Sequence, residues 1–236
     1  MGVTTTRLER VFSFLKGSKM PALPKGSTYY VQTGFGPAIP TTLATNATSA
    51  VFTAVGHGLV DNDIVEVNSG WVGINRRTYK VDMLSADTFA LVDCDTSDAA
   101  TNPAGSGIGN VRKILGWVQI PKVMNPQTSG GDPDNVEYEF IEDPQKYQIF
   151  NGWSAFGYSM EIDDDITTLG YKQGIKLTET QEDSVLRILK KGGINPTYLP
   201  CTVALNPIPK QQEGQIDRLA LQFSGRARPT RYTGAV

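Results

Sequence analysis

The chain has 236 residues, 39% of them hydrophobic and 19% charged, with a net charge of −2. That is enough apolar material for a sizeable core and too little charge imbalance for global disorder. The near-neutral balance excludes a general nucleic-acid binder, which needs many Lys and Arg against phosphates, and no apolar run is long enough to span a bilayer.

The opening MGVTTTRLERVFSFLKGSK is not read as a secretion signal, because Arg7, Glu9, Arg10 and Lys16 interrupt its apolar residues. Leu8, Val11, Phe12 and Leu15 fall at helical spacing and predict a short amphipathic arm. STYYVQT (27–33) is the first predicted strand, by its β-branched and aromatic content. From Ile39 to Asn110 the composition turns to Thr, Ala, Ser, Asn, Asp and Gly. Four short strands are predicted there, SAVFTAV (49–55), DIVEVNS (63–69), RTYKVDML (77–84) and DTFALVD (87–93), each bounded by turn residues.

Beyond this block VRKILGWVQIPKVM (111–124) is extended, NPQTSGGDPDN (125–135) is a polar loop, and NVEYEFIED (135–143) and AFGYSMEIDDDI (155–166) are strands. GYKQGIKLT (170–178) also looks extended. A single helix is predicted over 178–193, from the capping spacings Thr178–Gln181 and Thr180–Asp183, its early acids, late lysines and the stop at Gly192. PCTVALNPIP (200–209) and IDRLALQFSGRARPTRY (216–232) close the chain as strands. The expected fold is mainly β: an antiparallel barrel or sandwich core, residues 1–38 and 111–236, with one packed α-helix, and a small all-β domain inserted at 39–110. Such an insertion needs its ends close together, as they are if YYVQT and ILGWVQI pair.

Candidate chemistry is sparse. His57, the only histidine, sits between Gly56 and Gly58 with Asp61 and Asp63 downstream. Triad chemistry needs a nucleophile and an orienting carboxylate, and zinc needs several His or Cys at short spacing. Gly-His-Gly between β-rich runs is instead what a tight turn needs. Cys94 and Cys201 are read as unpaired thiols. The run 161–166 puts Glu161, Asp163 and Asp165 on one strand face. It lacks the glycine and terminal Glu of an EF-hand loop, so a solvated acidic face is expected. GSGIG (105–109) precedes a strand, not the helix that a dinucleotide loop opens. The basic run 226–231 is expected at a surface or between subunits. The patterns MGVTTT (myristoylation) and Asn46-Ala47-Thr48 (glycosylation) are too short to carry a conclusion. No enzyme, cofactor or metal is expected.

Two stretches resemble known proteins. HGLVDNDIVEVNSGWVGINRRTYKVDMLSADTFAL resembles a small β module of phage structural proteins, through Gly58-Leu59, Asp63, Asn75-Arg76, Tyr79-Lys80-Val81 and Asp87-Thr88-Phe89; Arg76 stands where glycine is commoner. The frame of STYYVQT, ILGWVQIPKVM, VEYEFIED, the acidic strand, one helix and LALQFSGRARPTRY resembles the major tail tube protein of long-tailed bacteriophages. That resemblance implies six-membered rings stacked into a hollow tube through which viral DNA passes without specific binding. It also implies tape-measure, terminator and distal tail proteins as partners, and a place in the virion after assembly in the host cytoplasm, with no membrane. The insert would lie outside the tube. Glu161, Asp163 and Asp165 would line an acidic lumen that repels DNA. Leu8, Val11, Phe12, Asn125, Asp132 and Asp134 would make ring-to-ring contacts. Other readings are another tube-forming tail or secretion component, or a glycan-binding module with Trp71, Tyr79 and Trp153 as stacking surface.

Overall fold

The computed structural model describes residues 25–234; the arm carrying Leu8, Val11 and Phe12 lies outside the described residues. Strand β1 (Thr28–Gln32) receives the chain and, after an excursion of more than eighty residues, β9 (Trp117–Ile120) returns beside it, Tyr30 opposite Gln119. This pairing holds the two ends of the insert together.

The core sheet runs β10 (Val123–Ser129), β13 (Gly157–Asp163), β16 (Arg218–Gly225), β15 (Ile194–Leu205), β14 (Ser184–Lys190), β1 and β9, with β17 (Thr230–Arg231) beside β15. Its edge strands β9 and β10 are consecutive in the chain, separated by Pro121 and Lys122, yet share no ladder. The sheet therefore curls on itself without closing. Alternation decides its faces: Leu219, Leu221 and Phe223 are buried while Gln222 and Ser224 are exposed. The buried face packs with Val31, Met160, Leu186 and Val203, and helix α1 (Leu169–Thr180) lies on it through Leu177, Tyr171 and Ile175.

This helix corrects the sequence expectation. Residues 170–178, expected extended, are helical, and 184–190, expected helical, form β14, paired on both sides to β1 and β15. Thr168, not Thr178 or Thr180, is the N-cap, and Gln181 ends the helix in the left-handed region. The predicted stop at Gly192 is instead part of the β14–β15 turn, where Gly192 and Gly193 both have positive φ. The reason is tertiary. SVLRILK carries β-branched Val185 and Ile188 and buries both Val185 and Leu186, as a central strand covered on two faces does, and two ladders outweigh its local capping signals. Gly170 and Gly174 cost helix propensity but let α1 approach closely: a Cβ on Gly170 would stand 2.8 Å from the Gln119 carbonyl oxygen. Thr178, next in that stripe, accepts from Leu205 N at 2.8 Å and donates to the Gly174 carbonyl.

The insert's sheet runs β2 (Phe35–Thr41), β8 (Gly109–Ile114), β5 (Ile64–Ser69), β6 (Arg77–Met83), β7 (Thr88–Leu91), β4 (Val51–Thr53) and β3 (Leu43–Ala44). Its edges β2 and β3 are again consecutive, so this sheet also curls around its own core of Phe52, Val65, Trp71, Tyr79, Phe89 and Val111. The strands expected at 49–55, 63–69, 77–84 and 87–93 are β4 to β7.

A third cluster joins insert to core: Ile64 and Ile114 meet Val185, Tyr198 and Tyr232. The Tyr232 hydroxyl accepts from Lys80 N at 2.9 Å and donates to the Val92 carbonyl. Arg112 of β8 pairs with buried Glu66 and reaches Asp183, 3.3 Å away, which Arg226 of the core also grips. The insert is clamped to the core.

The largest departure lies between β10 and β13. The expected polar loop 125–135 is mostly strand, and a long hairpin of β11 (Pro133–Phe140) and β12 (Asp143–Trp153) follows it. Neither strand of this hairpin pairs with any other described strand.

Candidate functional site

His57 lies buried at a turn of the insert. Its Nδ1 accepts from Leu59 N at 3.0 Å and its Nε2 faces the Ser85 carbonyl oxygen at 3.1 Å, while the ring stands edge-on to Phe89. With Nδ1 accepting, the ring proton belongs on Nε2. The imidazole thus ties the 56–59 turn to the 84–87 turn, and both nitrogens are used. Asp61 accepts from Met83 N and Asp63 from Val60 N, the latter also pairing with Lys113 at 2.7 Å. These carboxylates cap turns. Burial pushes the thiol of Cys94 up to about 11 and that of Cys201 up to about 12, which leaves little thiolate for chemistry. Among the described residues no three His, Cys, Asp or Glu side chains gather as a metal site, and no helix there is long and apolar enough to cross a membrane.

The glycan-stacking surface is overturned. Trp71 and Tyr79 are each 1% exposed, in the insert's core. Trp71 donates from Nε1 to the Pro103 carbonyl at 2.8 Å, and Gly107 lies against its ring, where a Cβ would come within 2.7 Å. The GSGIG stretch is therefore packing for an indole. Only Trp153 of the three is open, with Arg228 over its ring.

Glu161, Asp163 and Asp165 do come together, at the end of β13, but not as a bare acidic face. Glu161 accepts from Lys210 at 3.0 Å, Asn125 at 2.7 Å and Arg218 at 3.1 Å. These donors, Lys210 foremost, hold its carboxyl down at about 2. Lys122 pairs with Asp163 at 2.6 Å and Asp165 at 3.4 Å. Asp165 also accepts from Thr167 N and Oγ1, which lowers its pKa, ahead of the helix. Three carboxylates thus meet three cations. Sequence reading missed those partners because Lys122, Lys210 and Arg218 come from separate segments that only the sheet brings together.

Of the expected ring-contact residues, Asn125 belongs to this ion cluster, whereas Asp132 and Asp134 stand at the root of the hairpin, Asp134 accepting from Asn151 at 2.9 Å. The hairpin itself is the feature sequence reading missed. Register puts Val136 opposite Ile149 and Tyr138 opposite Tyr147, so with Phe140 they form one apolar face. The Tyr138 and Tyr147 rings stack at 5.5 Å, and all five side chains are exposed, Phe140 at 59% and Ile149 at 58%. Glu137, Glu139, Lys146 and Gln148 occupy the other face. The visible signal was the alternation Val-x-Tyr-x-Phe and Tyr-x-Ile on either side of Glu142-Asp143-Pro144. The hairpin leaves the core at Gly130 and Gly131, both with positive φ, the former against Ala155 and the latter against the Phe156 ring.

The described residues thus form a mainly β fold with one helix and an open apolar ribbon. Residues 69–234 match the family described as phage tail tube protein, TTP, and the chain belongs to that family. It is a structural protein of the virion tail. No curated protein matches the chain. Among solved structures, a chain from "Tail of empty GTA particle computed with helical refinement, C6 symmetry" is 7% identical, with a TM-score of 0.40, over 50% of this chain and 87% of that one.

Proposed function

We propose that the protein associates into six-membered rings that stack into a hollow tube, the conduit for viral DNA at ejection. The hairpin β11–β12 carries this reading. A two-stranded hairpin alone is marginally stable in water, and one with an open apolar face is a docking element. In a tube a second copy of the chain supplies the cover. The free edges of β9 and β10 suit the same arrangement, since heterologous contacts let edges pair between subunits.

The solvent face of β10, β13 and β16, bearing Glu161, Asp163 and Asp165, is proposed to line the channel, with the insert 39–110 outside and the discontinuous 1–38 and 111–236 core as the wall. The lysine and arginine partners make that lining neutral rather than acidic. Neutrality serves the same end, since a wall without uncompensated cations offers DNA no phosphate contacts. Ring-to-ring contacts are assigned to Asn125, Asp132, Asp134 and the arm with Leu8, Val11 and Phe12. Tape-measure, terminator and distal tail proteins are the proposed further partners, and the host cytoplasm the place of assembly.

Negative-stain electron microscopy of the purified protein across a concentration series tests the reading. Hollow tubes or stacked rings are expected; a monodisperse monomer at every concentration would overturn it. In assembled tubes, Glu161→Gln, Asp163→Asn and Asp165→Asn together would leave three cations facing the channel and slow DNA ejection. Tubes in which these side chains face outward would remove that assignment.

A further inference from the structure

The hairpin's charge narrows what can cover it. Between Asp132 and Trp153 the chain carries six carboxylates and one lysine, Lys146. A surface that receives this ribbon has to be apolar where the aromatic face lands and basic around it.

Helix α1 presents such a surface. Leu169, 70% exposed, is followed at spacings of three and four by Lys172 and Lys176, both exposed, and Ile166, 60% exposed, leads into the stripe. Among the described residues no carboxylate pairs with either ammonium. Within the helix Glu179 stands three residues beyond Lys176 without closing an ion pair, and Lys172 has no acidic neighbour at either spacing. Like charges four residues apart repel, and Lys172 stands in the first turn, where the helix dipole disfavours a cation. The helix has no acidic residue in that turn. An acidic surface laid on this stripe would offset both costs.

Their placement suits propagation. Strand β13 leaves the hairpin at Gly157 and ends at Asp163, and α1 starts six residues later. Hairpin and helix start thus lie at opposite ends of a seven-residue strand, roughly 20 Å apart along it. Two different, complementary surfaces at opposite ends of one subunit make a heterologous contact that repeats from copy to copy.

We propose, resting on the tail-tube reading, that the hairpin Pro133–Trp153 of one copy docks across the outer face of helix α1 of a neighbouring copy. Its Val136, Tyr138 and Ile149 side covers Leu169 and Ile166, and the carboxylates at its tip, Glu142 and Asp143, neutralise Lys172 and Lys176.

Charge reversal in the full chain tests this. Lys172→Glu with Lys176→Glu, and separately Glu142→Lys with Asp143→Lys, are each expected to raise the concentration at which tubes pellet by at least about tenfold. Combining all four restores assembly. A cross-link needs no charge change: copies with Leu169→Cys mixed with copies with Tyr138→Cys form a disulfide heterodimer under mild oxidation only at assembling concentrations. Wild-type protein that never forms tubes overturns the tail-tube reading itself. Wild-type tubes, unaffected reversals and no cross-link overturn this docking alone. Where a reversal merely unfolds the monomer, seen as a lowered melting temperature, the cross-link decides.

Discussion

His57 illustrates how one side chain can be structural while looking catalytic. Its two ring nitrogens bond to Leu59 and Ser85, so it holds two turns of the insert in place. His57→Ala removes both bonds and the contact with Phe89, and is expected to cost about 2–4 kcal/mol, measured by urea unfolding. Glu161 sets the acid limit of its corner. Its folded pKa of about 2 lies below the unfolded value of about 4.3. Its contribution is therefore present above the unfolded value and lost as pH falls from there through about 2. Thermal melts over that window are expected to fall less steeply for Glu161→Gln than for wild type; equal slopes would show that the ion cluster is not what acid dissolves. Glycine-rich 105–109 is likewise resolved at this scale, since Gly107 makes room for the Trp71 ring.

Helix α1 is held by packing more than by propensity. Ala in place of Gly170 raises helix propensity by about 1 kcal/mol, yet its Cβ would meet the Gln119 carbonyl oxygen at 2.8 Å. Gly170→Ala is therefore expected to lower stability in chemical denaturation, whereas a rise would mean that local propensity governs the element. Thr168→Ala removes the cap that accepts from Tyr171 N and is expected to cost about 1 kcal/mol. The hairpin is the converse case. Its pairing is local and legible in the alternation around Glu142-Asp143-Pro144, and no other described strand joins it.

Across the whole molecule, the clamp at Asp183 governs how the insert moves with the core. Arg112 from β8 and Arg226 from the core converge on that carboxylate. Asp183→Ala leaves two guanidiniums without it and is expected to speed proteolysis at the junctions near Gly34 and Leu115. An unchanged digestion pattern would assign the clamp to Tyr232, Tyr198 and their apolar neighbours instead.

The insert's strands, the pairing of YYVQT with WVQI and the turn role of His57 were all legible from sequence, because each rests on short-range alternation and turn residues whose preferences act within a few positions. The tail-tube family was legible for the same reason, in the order of those local patterns. The position of the helix was not. Thr178, Thr180 and the acids after them are good capping residues, but segment 184–190 is claimed by ladders to β1 and β15, residues more than a hundred and fifty positions and about ten positions away. Nor could sequence show that Glu161, Asp163 and Asp165 are neutralised, since Lys122, Lys210 and Arg218 reach them only through the folded sheet. Local composition determined which segments turn and which extend. Long-range pairing decided which segment is the helix, which charges meet, and which apolar face is left open.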